Sequence, residues 1–502
     1  MPEGLFAEPL FIFEMANNHM GSLEHGLRIV REFAQVSRDF PWRFGFKLQY
    51  RDLDTFIHPL YRGRDDIKYV KRFSETRLTR EQLRQLKDEI AAQGFVTICT
   101  PFDEPSVDLI EEHGFDVIKI GSCSFTDWPL LERIVRTEKP IIASTAGSSL
   151  DEIDKVVSFF EHRDKDFALM HCVGSYPTPA EELQLNQIDL LRARYPQVPV
   201  GFSTHEDPEN TDAVKLAIAK GALILEKHVG VPTPEFSLNA YSATPAQARR
   251  WLEAAQTAFA LCGIVGQRAE PSQAEMASLR ALRRGAFARR PLTTGERIEL
   301  DDLFLAIPTI PGQVTANDLS KYTEFYATAP IAALEPLHAA NTRRKETREQ
   351  VYQIVQRVKE LLRKSNVVVP PHVDLEISHH YGLERFDEYG LTMITVVNRQ
   401  YCKKLMILLP GQRHPEQYHN LKEETFHVLY GDVWTVLDGV RRRHLPGEII
   451  IVERGVRHSF GSDSGAVVEE ISSTHYANDS FYTDPAVMNN PHRKTLLTYW
   501  LE

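Results

Sequence analysis

The feature that most constrains this chain is a recurrence in its first half. Eight short apolar runs alternate with amphipathic stretches, and the runs end in polar residues. They begin near Leu10 (LFIFEMA), Phe44 (FGFKLQ), Phe95 (FVTICT), Val117 (VIKIGS), Pro140 (PIIAST), Phe167 (FALMHC), Val200 (VGFSTH) and Ala222 (ALILEKH). Each has the length of a strand buried on both faces, and the intervening segments, such as 80–93 and 212–220, are long enough for crossover helices. Eight β/α repeats predict a parallel (β/α)8 barrel, the TIM barrel, over residues 1–270. The rival is a doubly wound open sheet, which rarely needs eight consecutive parallel strands, and no GxGxxG follows the first run.

The polar residues collect where a barrel would bring them together. Glu14, Asn17, Asn18 and His19 lie at or past the end of the first run, Lys47 and Gln49 end the second, and Thr100 ends the third. Lys119 and Ser122 end the fourth, Ser144 and Thr145 the fifth, His171 the sixth, Ser203 and His205 the seventh, and Lys227 and His228 the eighth. In a barrel these ends converge on the C-terminal face, where catalytic residues of this fold sit. Strand ends are often polar, but a ring of several lysines, hydroxyls and histidines exceeds what solvation asks for. Two lysines with Ser and Thr hydroxyls suit phosphate or carboxylate oxygens. His205 and His228 suit a divalent metal with open positions. An anion clamp beside an open metal site predicts addition to a carbonyl.

Composition narrows the partners. The chain has 502 residues, 58 Lys plus Arg against 69 Asp plus Glu, a formal net charge of -11, and no long basic run, so nucleic acid is not expected. Cys99, Cys123, Cys172, Cys262 and Cys402 form no CxxC pair, which fits a reducing cytoplasm. No signal peptide or membrane span is legible. Residues 283–342, with many prolines and the turn TTGERIELDDL, predict a small, mostly β domain. Residues 343–366 predict a charged amphipathic linker helix with one docked face. From 367 to 502, short strands with Gly-rich turns predict a small β-barrel or jelly roll.

The strings FEMANNHMGS, FKLQ, CTPF, IKIGS, IASTAG, MHCVGSYPTP, GFSTH and LEKH, in this order, resemble the sialic acid synthase family, whose members condense phosphoenolpyruvate with an N-acetylated aldose. Residues 283–342 are similar to the antifreeze-like (SAF) domain that follows the barrel in that family. The resemblance implies that Lys47, Gln49, Thr100, Lys119, Ser122, Ser144 and Ser203 hold phosphoenolpyruvate, with Tyr176 also a binding residue. It assigns His205 and His228 to a manganese or magnesium ion and Glu14 to acid/base work. It also implies a homodimer in which the SAF domain of one chain caps the barrel of the other. Four positions depart from the family pattern. A glutamate is replaced by Ser124, an asparagine by Gly174, an aspartate falls at Leu238 or Asn239, and the SAF arginine aligns with Ile307. The donor and metal residues are kept while the acceptor residues are rewritten, so the expected aldose is not N-acetylmannosamine. The alternatives are an N-acetylneuraminate, legionaminate or pseudaminate-type synthase, or a carbohydrate-binding regulatory protein with an inactive barrel.

The string GQRHPEQYHNLKEETFHVLYG has the cupin spacing, with Gly411, Gln417, His419, Glu424 and Gly431 in register. Gly447, Gly455 and His458 fit the second cupin motif. YCKKLMILLPGQ, KEETF, EISST and FYTDP resemble the D-lyxose isomerase branch of the cupins. That resemblance implies Gln417, His419, Glu424 and His458 around a second divalent metal, with Lys422 and Glu470 as acid/base residues for proton transfer between C1 and C2 of an aldose. Gln417 stands where the family has a histidine, and an amide oxygen is a harder, weaker ligand that favours manganese over zinc. A degenerate cupin kept for packing or sugar binding is the alternative.

Overall fold

The computed structural model describes residues 5–476, 478–498 and 500. It divides into two compact units, Met1–Ala269 and Glu270–Glu502.

The first unit is a closed barrel of eight parallel strands in sequential order: β1 (Leu10–Glu14), β2 (Arg43–Tyr50), β3 (Val96–Pro101), β4 (Val117–Ile120), β5 (Ile141–Ser144), β6 (Phe167–Cys172), β7 (Val200–Thr204) and β8 (Ile224–His228). Alternation along each strand splits the apolar residues in two. Leu10, Ile12, Ile98, Val117, Ile142, Ala168, Met170 and Ile224 fill the lumen as one cluster, while Phe11, Phe13, Phe46, Leu169 and Leu225 face the helices as another. On the helical side Phe11 stacks on Trp42 at 4.5 Å and meets Trp251 edge-on at 5.3 Å. Truncating it to alanine costs about 3–5 kcal/mol.

Sequence fixes the helix starts. Thr79 with Gln82, Ser149 with Glu152 and Thr244 with Gln247 form capping boxes, so the helices Arg80–Ala92, Leu150–Glu161 and Pro245–Cys262 begin where their first free N–H groups find acceptors. One glycine sets strand register at the site. A Cβ on Gly201 would lie 2.4 Å from the Ile224 carbonyl oxygen, so only glycine lets β7 approach β8 closely enough to put Ser203 opposite Glu226.

The second unit begins with the helix Gln273–Ala281 and a small β module. In this module β9 (Gly285–Ala288) pairs with β11 (Leu303–Ala306), and β10 (Arg297–Ile298) pairs with β12 (Thr323–Ala327), which pairs in turn with β13 (Thr342–Glu346). Its core is built on Leu292, Phe325, Ile331 and Leu337. Residues 343–346, expected to open the linker helix, instead extend β13, because their backbone completes a ladder with 323–326. The helix itself is Arg348–Ser365, and its stripe Val351, Ile354, Val355, Val358, Leu361 and Leu362 is buried in a core shared with Leu375, Ile377, Leu405 and Ile407.

Those last residues belong to a β-sandwich. Its strands are β14 (Leu375–His379), β15 (Gly390–Asn398), β16 (Tyr401–Leu408), β17 (Arg413–Tyr418), β18 (Glu424–Gly431), β19 (Val433–Leu437), β20 (Val440–His444), β21 (Ile449–Val452), β22 (His458–Gly461), β23 (Ala466–Ser473), β24 (Phe481–Tyr482) and β25 (Lys494–Leu497). One sheet runs β21-β18-β23-β16-β15-β14-β25 and the other β20-β19-β22-β17-β24. Leu391, Met406, Phe426, Val428, Ile450 and Phe460 pack between them. Among the described residues no helix is long and apolar enough to cross a membrane.

Candidate active site and a second buried cluster

At the C-terminal end of the barrel the inward-pointing ends of five strands form one buried network. Lys47 Nζ from β2 lies 2.6 Å from Glu14 Oε2 of β1 and 2.8 Å from Glu226 Oε1 of β8. Lys119 of β4 donates to Glu226 Oε2 at 3.1 Å, and the Ser203 hydroxyl of β7 donates to Glu226 Oε1 at 2.9 Å. All five side chains are buried. Burial alone would depress the Lys47 ammonium, but Glu14 and Glu226 outweigh it and hold it above the ordinary lysine range. Lys119 is lowered by burial, which Glu226 only partly offsets. Burial also works against the Glu226 carboxylate, yet Lys119 and Lys47 keep it well below the usual range, so it stays ionised.

Around this network, Thr100 Oγ1 and Ser144 Oγ are shut away from solvent with no hydrogen-bond partner. Ser122 Oγ accepts from the Ala146 N–H at 3.2 Å, and Gln49 Oε1 accepts from Arg51 at 2.8 Å. The structure therefore brings Glu14, Lys47, Lys119 and Ser203 into direct contact, with Gln49, Thr100, Ser122 and Ser144 on neighbouring strand ends.

His205 and His228 face each other beside the network, ring centroids 5.0 Å apart. Tyr176 covers His205 at 4.3 Å and Tyr241 covers His228 at 5.2 Å. Burial lowers both imidazoles to about 3, with Lys47 adding to it and Glu226 only partly opposing it, so both are neutral and carry a free lone pair at pH 7. His205 Nδ1–H donates to the Val173 carbonyl at 2.9 Å, leaving Nε2 as its ligand atom. His228 Nδ1 is buried without a partner. These are donor atoms that a divalent cation fits.

Sequence reasoning missed Glu226, the hub of the network, and named its neighbour Lys227 instead. The signal was strand alternation: if His228 faces the lumen then so does Glu226, and Lys227 pairs with Glu206 at 2.8 Å apart from the network. Arg51 and Tyr241 were also missed. At the positions that depart from the family pattern, Ser124 is buried and a Cβ on Gly174 would meet only the Ala146 methyl at 4.0 Å. Asn239 donates to Asn18 Oδ1 at 3.3 Å. Ile307 lies in the second unit, exposed.

The sandwich holds a second buried cluster drawn from both sheets. His419, Glu424 and His458 bring their ligand atoms within 4.8 Å of one another. His419 Nδ1–H donates to the Asp479 carbonyl and His458 Nδ1–H to the Val456 carbonyl at 3.0 Å. Each Nε2 lone pair then faces the ionised Glu424 carboxylate, at 3.5 Å from His419 and 3.2 Å from His458. Lone pairs opposed in this way are reconciled by a cation, so these residues fit a metal. Gln417 meets the cluster through its amide nitrogen, 3.3 Å from His458 Nε2, rather than through the oxygen expected of a ligand. Lys422 pairs with Glu424 and lies 2.8 Å from Glu470 Oε1. His414 is not in the cluster; its ring stacks on Phe460 at 4.6 Å.

Comparison with known proteins agrees with this architecture. The sequence profile of the NeuB family matches residues 46–265, and that of the cupin domain matches residues 404–472. The chain is 30% identical over 304 residues to an uncharacterized protein of Methanocaldococcus jannaschii, covering 60% of this chain and 86% of that one. It is 26% identical over 324 residues to N,N'-diacetyllegionaminic acid synthase of Legionella pneumophila, covering 61% and 87%. A crystal structure of a protein named for spore coat polysaccharide biosynthesis, from Chromobacterium violaceum, is 56% identical and superimposes with a TM-score of 0.65, covering 67% of this chain and 100% of that one. The chain belongs to the NeuB family, the sialic acid synthase family, and carries a cupin domain after its barrel.

Proposed function

We propose that the barrel condenses phosphoenolpyruvate with an aldose to give a 3-deoxy-ulosonic acid and inorganic phosphate. The observation that carries this reading is the Glu14–Lys47–Glu226–Lys119 network beside the paired imidazoles of His205 and His228. Lys47 and Lys119 bind the donor's phosphate and carboxylate, and the unpartnered hydroxyls of Thr100 and Ser144 donate to the remaining oxygens. A manganese or magnesium ion held by His205 and His228 supplies Lewis-acid polarisation of the aldehyde oxygen when bound. Positioning then brings C3 of the donor onto the aldehyde carbon and forms the new C–C bond. Water adds at C2, and the C2–O bond to phosphate breaks. Glu14, in contact with Lys47, accepts the water proton and returns it to the former aldehyde oxygen, which becomes a hydroxyl. An intact set of these groups argues against a barrel retained only for binding.

The acceptor in this reading is an aldose without an N-acetyl group, with mannose configuration or a phosphorylated relative as the first candidates. Ile307 replaces a donor to an acetyl oxygen, and an unpaired buried amide oxygen costs about 1–3 kcal/mol. The small β module acts as an SAF cap over the barrel of a second copy in a homodimer. The cupin interconverts the aldose and its ketose, with Lys422 and Glu470 moving the proton beside the His419, Glu424 and His458 metal site. The reaction takes place in the cytoplasm, which suits five free cysteines. The test is phosphate release from phosphoenolpyruvate with manganese and a panel of aldoses, repeated with His205→Ala and His228→Ala. Release that requires an aldose and is lost in both variants supports condensation. Release that survives either substitution, or no release with any aldose, overturns it. A preference for N-acetylmannosamine over mannose would overturn the acceptor reading alone, and failure to exchange deuterium at C2 of any aldose would remove the isomerase.

A further inference from the structure

The inward row of β2 does not stop at the donor site. The two-residue period that aims Lys47 and Gln49 into the mouth continues to Arg51, the first residue past the strand. Its guanidinium is clamped between two aromatic rings, with Cζ 4.1 Å from the centroid of Phe73 and 3.7 Å from that of Phe102. One Nη donates to Gln49 Oε1 at 2.8 Å, while Nε is shut away from solvent with no partner. Burial lowers Arg51 to about 10, still charged at neutral pH.

The acidic side chains around Arg51 are engaged elsewhere, Glu14 with Lys47 at 2.6 Å. Asp54 is paired with Arg77 at 2.7 Å. Asp52 caps the short helix Leu53–Phe56 through the Asp54 N–H at 3.1 Å. Asp103 accepts from the N–H groups of Ser106 at 2.8 Å and of Asp52 at 2.9 Å. Among the described residues Arg51 makes no ion pair, so a rigidly held cation is left with a vacant donor.

That cation borders a cavity of about 490 Å³ that is also lined by His19, Gln49, Asp52, Asp54, Arg77 and Arg80. His19 is neutral, lowered to about 4 by burial. Its Nδ1 accepts from the Gly21 N–H at 3.1 Å, so its proton is on Nε2, a second donor. The helix Lys68–Glu75 borders the same cavity through Phe73.

We propose that this recess binds an anionic group at the end of the acceptor remote from its aldehyde, with Arg51 as the specificity-determining residue. The acceptor is then an aldose bearing a phosphate or a carboxylate. This rests on the condensation reading: the donor's own anionic groups are met by Lys47 and Lys119 deeper in the barrel, and Gln49 and Arg51, next in the same inward row, line the recess. A guanidinium fork held flat between two rings suits a planar or tetrahedral oxyanion better than it suits a neutral hydroxyl.

The competing role for Arg51 is to hold the Gln49 amide for the donor, and kinetics separate the two. Phosphate release is measured for the wild type, Arg51→Met and Arg51→Lys, with mannose, mannose 6-phosphate and mannuronic acid as acceptors. Charged hydrogen bonds of this kind are worth roughly 10- to 100-fold in discrimination. The proposal expects the wild type to favour one anionic sugar over mannose by at least about tenfold, with the phosphate and carboxylate arms telling which. It expects Arg51→Met to erase that preference while kcat/KM for mannose and the KM for phosphoenolpyruvate stay within about threefold, and Arg51→Lys to keep part of it. Equal losses for all three sugars, or a raised donor KM with the preference intact, would overturn it in favour of the positioning role. If no sugar supports turnover, the condensation reading fails, and calorimetric titration with mannose 6-phosphate judges the recess alone. Binding to the wild type that is lost in Arg51→Met and weakened in Arg51→Lys supports an anion site, and no binding, or equal binding to all three proteins, overturns it.

Discussion

Replacing Glu226 by glutamine tests the barrel network without changing its shape. Glu226 accepts from Lys47 at 2.8 Å, Lys119 at 3.1 Å and Ser203 at 2.9 Å. Lys47 keeps Glu14 at 2.6 Å, so the charge left uncompensated is that of Lys119. Stranding one buried charge costs about 3–5 kcal/mol. Lys119 can escape by shedding its proton, which caps the cost. From an ordinary value of 10.5, deprotonation at pH 7 costs about 4.8 kcal/mol at 1.36 kcal/mol per unit, and at pH 9 only about 2 kcal/mol. The sign follows from linkage. In the variant the folded state binds fewer protons at Lys119 than the unfolded state does below pH 10.5, so stability rises with pH across that window.

Glu226→Gln is therefore expected to lose about 3–5 kcal/mol at pH 7, and about 2 kcal/mol or less at pH 9. Hydrogen exchange of β2 and β8 amides, read in urea at both pH values, reports the barrel separately from the second unit. A penalty under about 1 kcal/mol at pH 7, or one that does not shrink by pH 9, would refute the assignment of Glu226 as the counter-charge of both lysines.

Lys422→Met should strand the buried carboxylates of Glu424 and Glu470 and destabilise the sandwich by about 3–5 kcal/mol, with manganese restoring most of it; a loss that manganese leaves unchanged refutes a metal site there. His19, lowered by burial from 6.5 to about 4, contributes stability that is fully present above 6.5 and lost as pH falls toward 4. His19→Gln should therefore flatten the acid slope of barrel stability by about 1 kcal/mol per pH unit between pH 6 and 5, and an unchanged slope in the variant counts against it.

How far the sequence could be read depends on how local each signal was. A barrel strand presents its inward residues at every second position, so eight runs with polar ends announced both the fold and the mouth. The same rule contains Glu226 and Arg51, as His228 minus two and Gln49 plus two, but the adjacent Lys227 and the apparent end of the run at Gln49 mask them. The ligand spacing around His419 and Glu424 was legible because one short connection, from β17 of one sheet to β18 of the other, sets it. The extension of β13 was not, because 343–346 is a charged string, RRKE, whose strand character comes from pairing with 323–326. Likewise the fate of the stripe along Arg348–Ser365 depends on a sheet that begins at Leu375.

Charge balance in the barrel leads to one more expectation. Glu14 and Glu226 against Lys47 and Lys119 sum to zero, and Lys227 is cancelled by Glu206. A donor with a phosphate and a carboxylate carries about three negative charges, and a site with no net charge offers it hydrogen bonds but little attraction. The imidazoles of His205 and His228 are held neutral by burial, so a dication bound to them keeps its whole charge. Donor and cation should then bind together, with coupling of about 1–3 kcal/mol, or roughly 5- to 150-fold. Manganese should tighten phosphoenolpyruvate by at least about tenfold, and phosphoenolpyruvate should tighten manganese by the same factor. Because these groups are buried, raising the salt from about 0.05 to 0.15 M should leave the coupling within about twofold. Calorimetric titration of each ligand, alone and in the presence of the other, measures both factors. Manganese affinity indifferent to phosphoenolpyruvate would mean that the donor lies elsewhere, or that the cation does.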